Sequence, residues 1–211
     1  PAFNINSIGE WDIRQGYQVK MDADRTLSIT GEQAPEDLPI PLSDGWQIIA
    51  YLQDTPEDIS LALAGVSDNI LIAKNNVGET YIPALGVNDI GDMEPTQGYQ
   101  VRATAADTLA YDPFGAGFDG QPLLMEDRAD LHLPYRDKTG SSGTVVLPDW
   151  VMAQYFPEGS WIAATSPDGK IYGMQFWGGR HAALTIWGDD KQTAAEAEGL
   201  QAGQTYYLQA W

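Results

Sequence analysis

The sequence predicts a mainly β protein, with a repeat-derived, β-rich (α+β) module containing one short helix over 1–112 and an antiparallel β-sandwich over 113–211. Three observations carry this reading. Short apolar and aromatic runs alternate with turns rich in Gly, Pro, Asn and Asp. A stretch near the N terminus recurs 82 residues later, and a helix-like pattern is confined to one short segment.

The elements follow in order. Residues 16–21 and 98–103 read as strands with Tyr and Val alternating on one face, each followed by a charged turn and a second strand, 26–30 and 108–111, so two hairpins are expected. Pro39-Ile40-Pro41-Leu42 is too proline-rich for a central strand. Ser43-Asp44-Gly45 then turns the chain into a strong strand, Trp46-Gln47-Ile48-Ile49-Ala50-Tyr51. Thr55-Pro56-Glu57-Asp58 has the form of a helix start: a hydroxyl N-cap, Pro at the first helical position and acids in the first turn. Ile59, Leu61, Leu63 and Val66 supply the apolar side, and Gly65 is placed to end the helix. Residues 69–74, an Asn75-Asn76-Val77-Gly78 turn and residues 79–82 form a further hairpin. Residues 112–120, with their glycines and proline, fit a linker or a long connection. Five strands are expected beyond it, at 144–147, 160–165, 170–177, 182–187 and 205–211. Their alternation turns Trp161, Ala163 and Thr165 inward, along with Leu184, Ile186 and Trp187.

The repeat sets the domain organisation. Residues 6–29 match 88–111 without a gap at 11 of 24 positions, the longest identity being Gln15-Gly16-Tyr17-Gln18-Val19 against Gln97-Gly98-Tyr99-Gln100-Val101. Residues 1–30 thus echo 83–112. With a unit of that length, 31–112 is one whole unit and 1–30 closes a preceding one. Alternatively, 1–30 completes this module in the manner of a permuted strand. The sequence starts at Pro1-Ala2-Phe3, without an initiator Met or a signal segment, and is expected to be a piece of a longer protein.

Composition excludes several function classes. The chain has 30 Asp and Glu against 11 Lys and Arg, a net charge of −19. Nucleic-acid phosphates and anionic lipid surfaces both select basic proteins, so neither is an expected partner. The excess is concentrated in 1–112, with 5 basic and 18 acidic side chains, and there it falls in turns and helix starts. Seven Trp and 43% apolar residues are too many for an acidic disordered chain. No apolar run is long enough to span a membrane. The absence of Cys removes disulfides, thiolate nucleophiles and Cys-based zinc sites.

Gly45-Trp46, Tyr51-Leu52, Lys74, Gly78, Tyr81-Ile82-Pro83, Ile90-Gly91-Asp92-Met93-Glu94-Pro95 and Gly98-Tyr99-Gln100-Val101 together form a pattern. It resembles a tandem module of large secreted surface proteins of Bacteroidetes-type bacteria, associated with type IX secretion. Ile162-Ala163-Ala164, Asp168-Gly169, Leu184-Thr185-Ile186-Trp187-Gly188-Asp189-Asp190 and Gly199-Leu200 look like a second module found beside it. The resemblance implies an exported chain anchored by a sorting domain outside this sequence. It carries over no catalytic residue.

Candidate chemistry is sparse. His132 and His181 are the only histidines, no Gly-x-Ser-x-Gly elbow is present, and His181 reads as a surface turn residue. Abundant carboxylates alone do not indicate a glycosidase. Calcium would find its best ligands at Asp189 and Asp190, with Thr193 and the Gly188 backbone; Asp22, Asp24 and Asp119 are weaker candidates, and turn capping is the competing role. The Gly115-Ala116-Gly117 spacing lacks the strand-then-helix context of a phosphate loop. Trp150, Tyr155, Trp161, Trp177, Trp187 and Trp211 are dense for about 100 residues. Trp177, followed by Gly178-Gly179-Arg180-His181, is expected at a hairpin end with its ring available to a ligand, and Trp177, Arg180 and His181 form the candidate binding set.

These readings converge on a non-catalytic structural or adhesive module of a large extracellular or cell-surface bacterial protein. Its expected partners are glycans, other surface proteins and neighbouring repeat modules. A carbohydrate-binding module in the C-terminal half, with structural calcium, is the alternative, and a glycan-active enzyme fragment comes third.

Overall fold

The computed structural model describes residues 8–21, 23–111, 139–189, 197 and 199–210. The protein is mainly β, with several antiparallel sheets and few helices. It divides into two compact units, one of Pro1–Asn76, Tyr81–Ala84 and Asn88–Pro122, the other of Val77–Thr80, Leu85–Val87 and Leu123–Trp211.

The first half of the chain forms β1 (Ile40–Leu42), β2 (Gly45–Ala50), β3 (Glu57–Asp58), α1 (Ile59–Ala62), β4 (Ile70–Lys74), β5 (Thr80–Ile82), β6 (Val87–Asn88), β7 (Asp92–Met93), β8 (Gly98–Ala103) and β9 (Asp107–Leu109). One sheet has the order β2-β8-β4-β5-β6, while β1 pairs with β9 and β3 with β7. β8 is antiparallel to both β2 and β4. Its period-2 pattern buries Tyr99, Val101 and Ala103 on one face and turns Gln100 and Arg102 to the other. Tyr99 and Val101 join Ile49, Ile59, Leu63, Val66, Ala73, Met93, Leu109 and Tyr111 in one core.

Two turns 82 residues apart make the same bonds. Tyr17 Oη accepts the Asp12 N–H at 2.7 Å, and Tyr99 Oη accepts the Glu94 N–H at 2.8 Å. Likewise the Gln15 N–H donates to Asp12 O at 3.0 Å, and the Gln97 N–H to Glu94 O at 3.2 Å. The first turn lies along the free edge of β2, with Gln15 bridged to Ile49 and the Gly16 N–H donating to Ile48 O at 3.0 Å. The two equivalent glycines meet there, since a Cβ on Gly16 would stand 2.9 Å from Gly98 Cα.

Several expectations for this half are corrected. Residues 16–21 and 26–30 form no strand among the described residues beyond that one bridge, so the first hairpin is not formed. The second is not a hairpin either. β9 turns away from β8 and pairs with β1, placing Leu109 opposite Ile40. Asp58, not Thr55, caps the helix by accepting the Ser60 N–H at 2.8 Å, because Glu57 and Asp58 are held extended against β7. Gly65 does not end the helical stretch but sits inside the 3-10 turn Ala64–Asn69 that continues it.

The second half forms β10 (Ser141–Leu147), α2 (Asp149–Met152), β11 (Ser160–Thr165), β12 (Ile171–Trp177), β13 (Ala182–Gly188) and β14 (Tyr207–Ala210). β10 pairs with β13, and β11 lies between β12 and β14, all antiparallel. Ile162, Ala164, Tyr172, Trp177, Leu184 and Ile186 build the core with Leu147 and Met152. β12 passes directly over β13 at Gly173, where a Cβ would fall 2.0 Å from Thr185 O, so no larger residue fits.

The phase of β11 is the reverse of the expected one. Ile162 and Ala164 enter the core, while Trp161 is half-buried on the opposite face, edge-on to Phe176 across the strand pair with ring centroids 5.6 Å apart. Trp187 is buried as expected, but on the face of β13 opposite Leu184 and Ile186. There its ring packs under Gly78 of the same unit, whose φ of 90° and missing Cβ make the room. Thr185 Oγ1 donates to Gly78 O at 2.5 Å beside it.

Buried phenols set the alkaline limit of the fold. Tyr111 Oη donates to Ala50 O at 3.0 Å, Tyr51 Oη donates to Thr55 O at 2.8 Å, and the two rings meet edge-to-face at 5.2 Å. Burial pushes both phenol pKa values far up, with Glu57 adding to the effect at Tyr51, and raises that of Tyr81 as well. Above about pH 10 the unfolded chain releases phenol protons that the native state keeps, so it binds fewer protons and stability falls as pH rises. Lys74 acts in the opposite sense, because burial lowers its pKa, but it is one group against three. Denaturant titrations between pH 8 and 11 should show stability declining above pH 10. Tyr111→Phe should cost about 1 kcal/mol at neutral pH and flatten that decline; an unchanged slope in the variant would discount this account.

Candidate functional site

The turn between β12 and β13 gathers the residues singled out by sequence, but it does not close the expected hairpin, because β12 pairs with β11 and β13 with β10. Trp177 closes β12, Arg180 stands exposed in the turn, and His181 precedes β13. The exposure expected for Trp177 is not found. Only 2% of it is accessible, and Nε1 donates to Arg180 O at 2.8 Å, so the ring is a core group that pins the turn from below. Its strand phase explains this, since Trp177 lies opposite Ser160, on the face of the sheet that carries Ile162.

The exposed ring is Trp150, one residue into α2 and 61% accessible. The helix has room for few buried positions, and Met152 takes one, leaving Trp150 outward. Its ring meets His181 edge-to-face, centroids 5.1 Å apart. His181 Nδ1 accepts the Asp149 N–H at 3.0 Å, which puts the ring proton on Nε2. Asp149 Oδ1 is 3.3 Å from the same Nδ1.

Between α2 and the turn lies an open depression of about 440 Å³, lined by Trp150, Phe156, Pro157, Asp149 and Glu158, with Trp177 at its base. Gly179, at φ 79°, leaves room for the Glu158 side chain. Two carboxylates and an exposed aromatic face thus border one concavity. Flat apolar ligand faces stack on such a ring, and hydroxyl donors suit the carboxylates.

The chain matches no known family, no curated protein and no solved structure.

Asp189 follows β13, its N–H donating to Leu200 O at 3.0 Å beside the parallel Gly188–Leu200 bridge. Asp190 and Thr193, the other candidate calcium ligands, lie outside the described residues, as do Asp22, Asp119, His132, Trp211 and the 112–120 stretch with Gly115-Ala116-Gly117. Among the described residues no three His, Asp or Glu side chains converge on one point. Sequence reasoning placed Trp150 among the dense aromatics without separating it from the core. The separating signal was local: Pro148-Asp149 starts a helix, and the following Trp occupies its solvent side.

The two tryptophans should therefore respond differently to substitution. Trp177→Phe removes a buried hydrogen bond and ring volume and should cost about 1–3 kcal/mol in urea denaturation, against less than about 1.5 kcal/mol for Trp150→Ala, which forfeits mainly the ring contact with His181. Equal losses would show that Trp150 is not the exposed partner.

Proposed function

We infer that this chain is a non-catalytic structural and adhesive module of a large extracellular or cell-surface bacterial protein, with a repeat-derived α+β module followed by a β-sandwich module. The observation that carries the reading is a pair of turns that share two hydrogen bonds. The same tyrosine-to-backbone bond recurs at Tyr17 and Tyr99, so the sequence echo corresponds to a repeated structural device. Duplicated strand-rich units placed in series give reach, the property a surface protein needs. The resemblance to tandem modules of secreted Bacteroidetes-type proteins points the same way, as does an acidic surface that repels its own kind. An antiserum raised against the 211-residue chain should label intact cells of the source organism and detect a polypeptide much larger than 23.0 kDa. Detection of a 23.0 kDa species confined to the cell interior would sink the reading.

A second reading, a carbohydrate-binding module in the C-terminal half, is favoured by the exposed Trp150 ring beside Asp149 and Glu158. In this reading a sugar ring stacks on Trp150 while its hydroxyls donate to the carboxylates. A glycan array probed with the chain should give a signal that Trp150→Ala abolishes and Tyr155→Ala leaves in place. A blank array, or one indifferent to Trp150, removes this reading.

A further inference from the structure

We propose that the exposed apolar side chains of residues 8–21 and 23–29 are an interaction surface for one kind of occupant: a strand-forming segment like residues 40–74, contributed by the parent chain ahead of the first repeat copy. The proposal rests on the tandem-module reading and names the partner which that reading requires. Its basis is a comparison internal to the chain. In the second copy Ile90, Met93, Val101, Ala103, Leu109 and Tyr111 are all buried. Their counterparts in the first copy, Ile8, Trp11, Val19, Met21, Leu27 and Ile29, are all exposed. Val19 is 60% accessible where Val101 is 0%, and Leu27 is 71% accessible where Leu109 is 1%.

A single exposed Val or Leu is ordinary. Six exposed at the six positions that the second copy buries are more than chance exposure accounts for, and the burial of their counterparts points to a cover of the same kind. The second copy shows what the cover is. β2 and β4 flank β8, Ile40 of β1 lies opposite Leu109, and Ile59, Leu63 and Val66 from the helical stretch complete the core. The echo extends to Pro1-Ala2, which repeats Pro83-Ala84 at the same offset.

A second copy of this chain is a poor occupant. Its own β8 already fills the place between β2 and β4, and its Leu109 already lies opposite Ile40. The strands that suit the face are engaged, and swapping them would expose in one molecule what it covers in the other.

The test is a chain in which residues 31–82 are duplicated directly ahead of Pro1. Hydrogen exchange of amides between 16 and 29 should slow by at least about 100-fold relative to the 211-residue chain, and Trp11 emission should move to the blue. Val19→Asp should reverse both changes in the extended chain, yet leave the melting temperature of the 211-residue chain within about 2 °C. Unprotected amides in the extended chain overturn the proposal. So does a large loss of stability from Val19→Asp in the 211-residue chain, which would mean that the face is already covered, or a dimer of that chain that Val19→Asp dissolves, which would assign the face to a second copy. All these readouts are made on purified protein, so they stand or fall separately from the cell-surface location.

Discussion

The first unit depends on β8 being held from both sides. A strand inside a sheet satisfies its backbone donors and acceptors on two edges and buries one face, and Gly98–Ala103 does this between β2 and β4. The chain accepts strain to reach that position. Thr96, β-branched and at φ 69°, sits in the turn that delivers β8, and the Gln97 N–H to Glu94 O bond closes the turn behind it. With β8 in place, Tyr99 and Val101 organise the core, and β7 and β9 are drawn onto β3 and β1 on either side.

The first repeat copy is the control that nature supplies for this argument. Gln15-Gly16-Tyr17-Gln18-Val19 is identical to Gln97-Gly98-Tyr99-Gln100-Val101, yet only the second becomes a strand. What the two copies share is local: the turn closed by the Asp12 and Glu94 carbonyls and the tyrosine hydroxyl that accepts a backbone N–H. What differs is that β8 is paired on both edges, while the first copy meets only the free edge of β2, at Gln15 and Gly16. Strand structure is a property of pairing and burial more than of intrinsic backbone preference, and here the same five residues show it within one molecule.

That distinction also explains which parts of the fold were legible in the sequence. β2, β4 and β5 announce themselves through short apolar runs and the Asn-rich turn between β4 and β5, and the strands of the second half fall within a few residues of their expected places. Pairing partners were not legible, because the choice of β1 over β8 as the neighbour of β9 is made by residues 60 or more positions away. Phase was equally hidden in β11, where Ile162, Ala163 and Ala164 are all buried, so alternation has little contrast to read. The Trp161 ring is then placed by Phe176 across the pair, not by its own neighbours in sequence. The candidate site suffered from the same limit. The turn holding Trp177, Arg180 and His181 was found from its glycines, but which aromatic faces solvent there depends on α2, a four-residue helix too short to leave a period.

Charge and apolar exposure act together on the first copy. The 1–112 segment carries a strong acidic excess, so two such chains repel before their apolar faces meet. Screening limits that repulsion to about 8 Å at physiological ionic strength, so it opposes approach without forbidding contact. A segment in the same chain faces a different balance. Tethering supplies an effective concentration on the order of millimolar, so apolar burial needs to offset far less lost freedom than in a bimolecular encounter. The acidic excess of 1–112 thus opposes indiscriminate association at positions such as Val19 and Leu27, while a tethered strand pair of the proposed kind would reach them at little entropic cost. Under the proposal the acidic surface and the exposed side chains would act together, the charge favouring an occupant that arrives along the chain over one that arrives through solution.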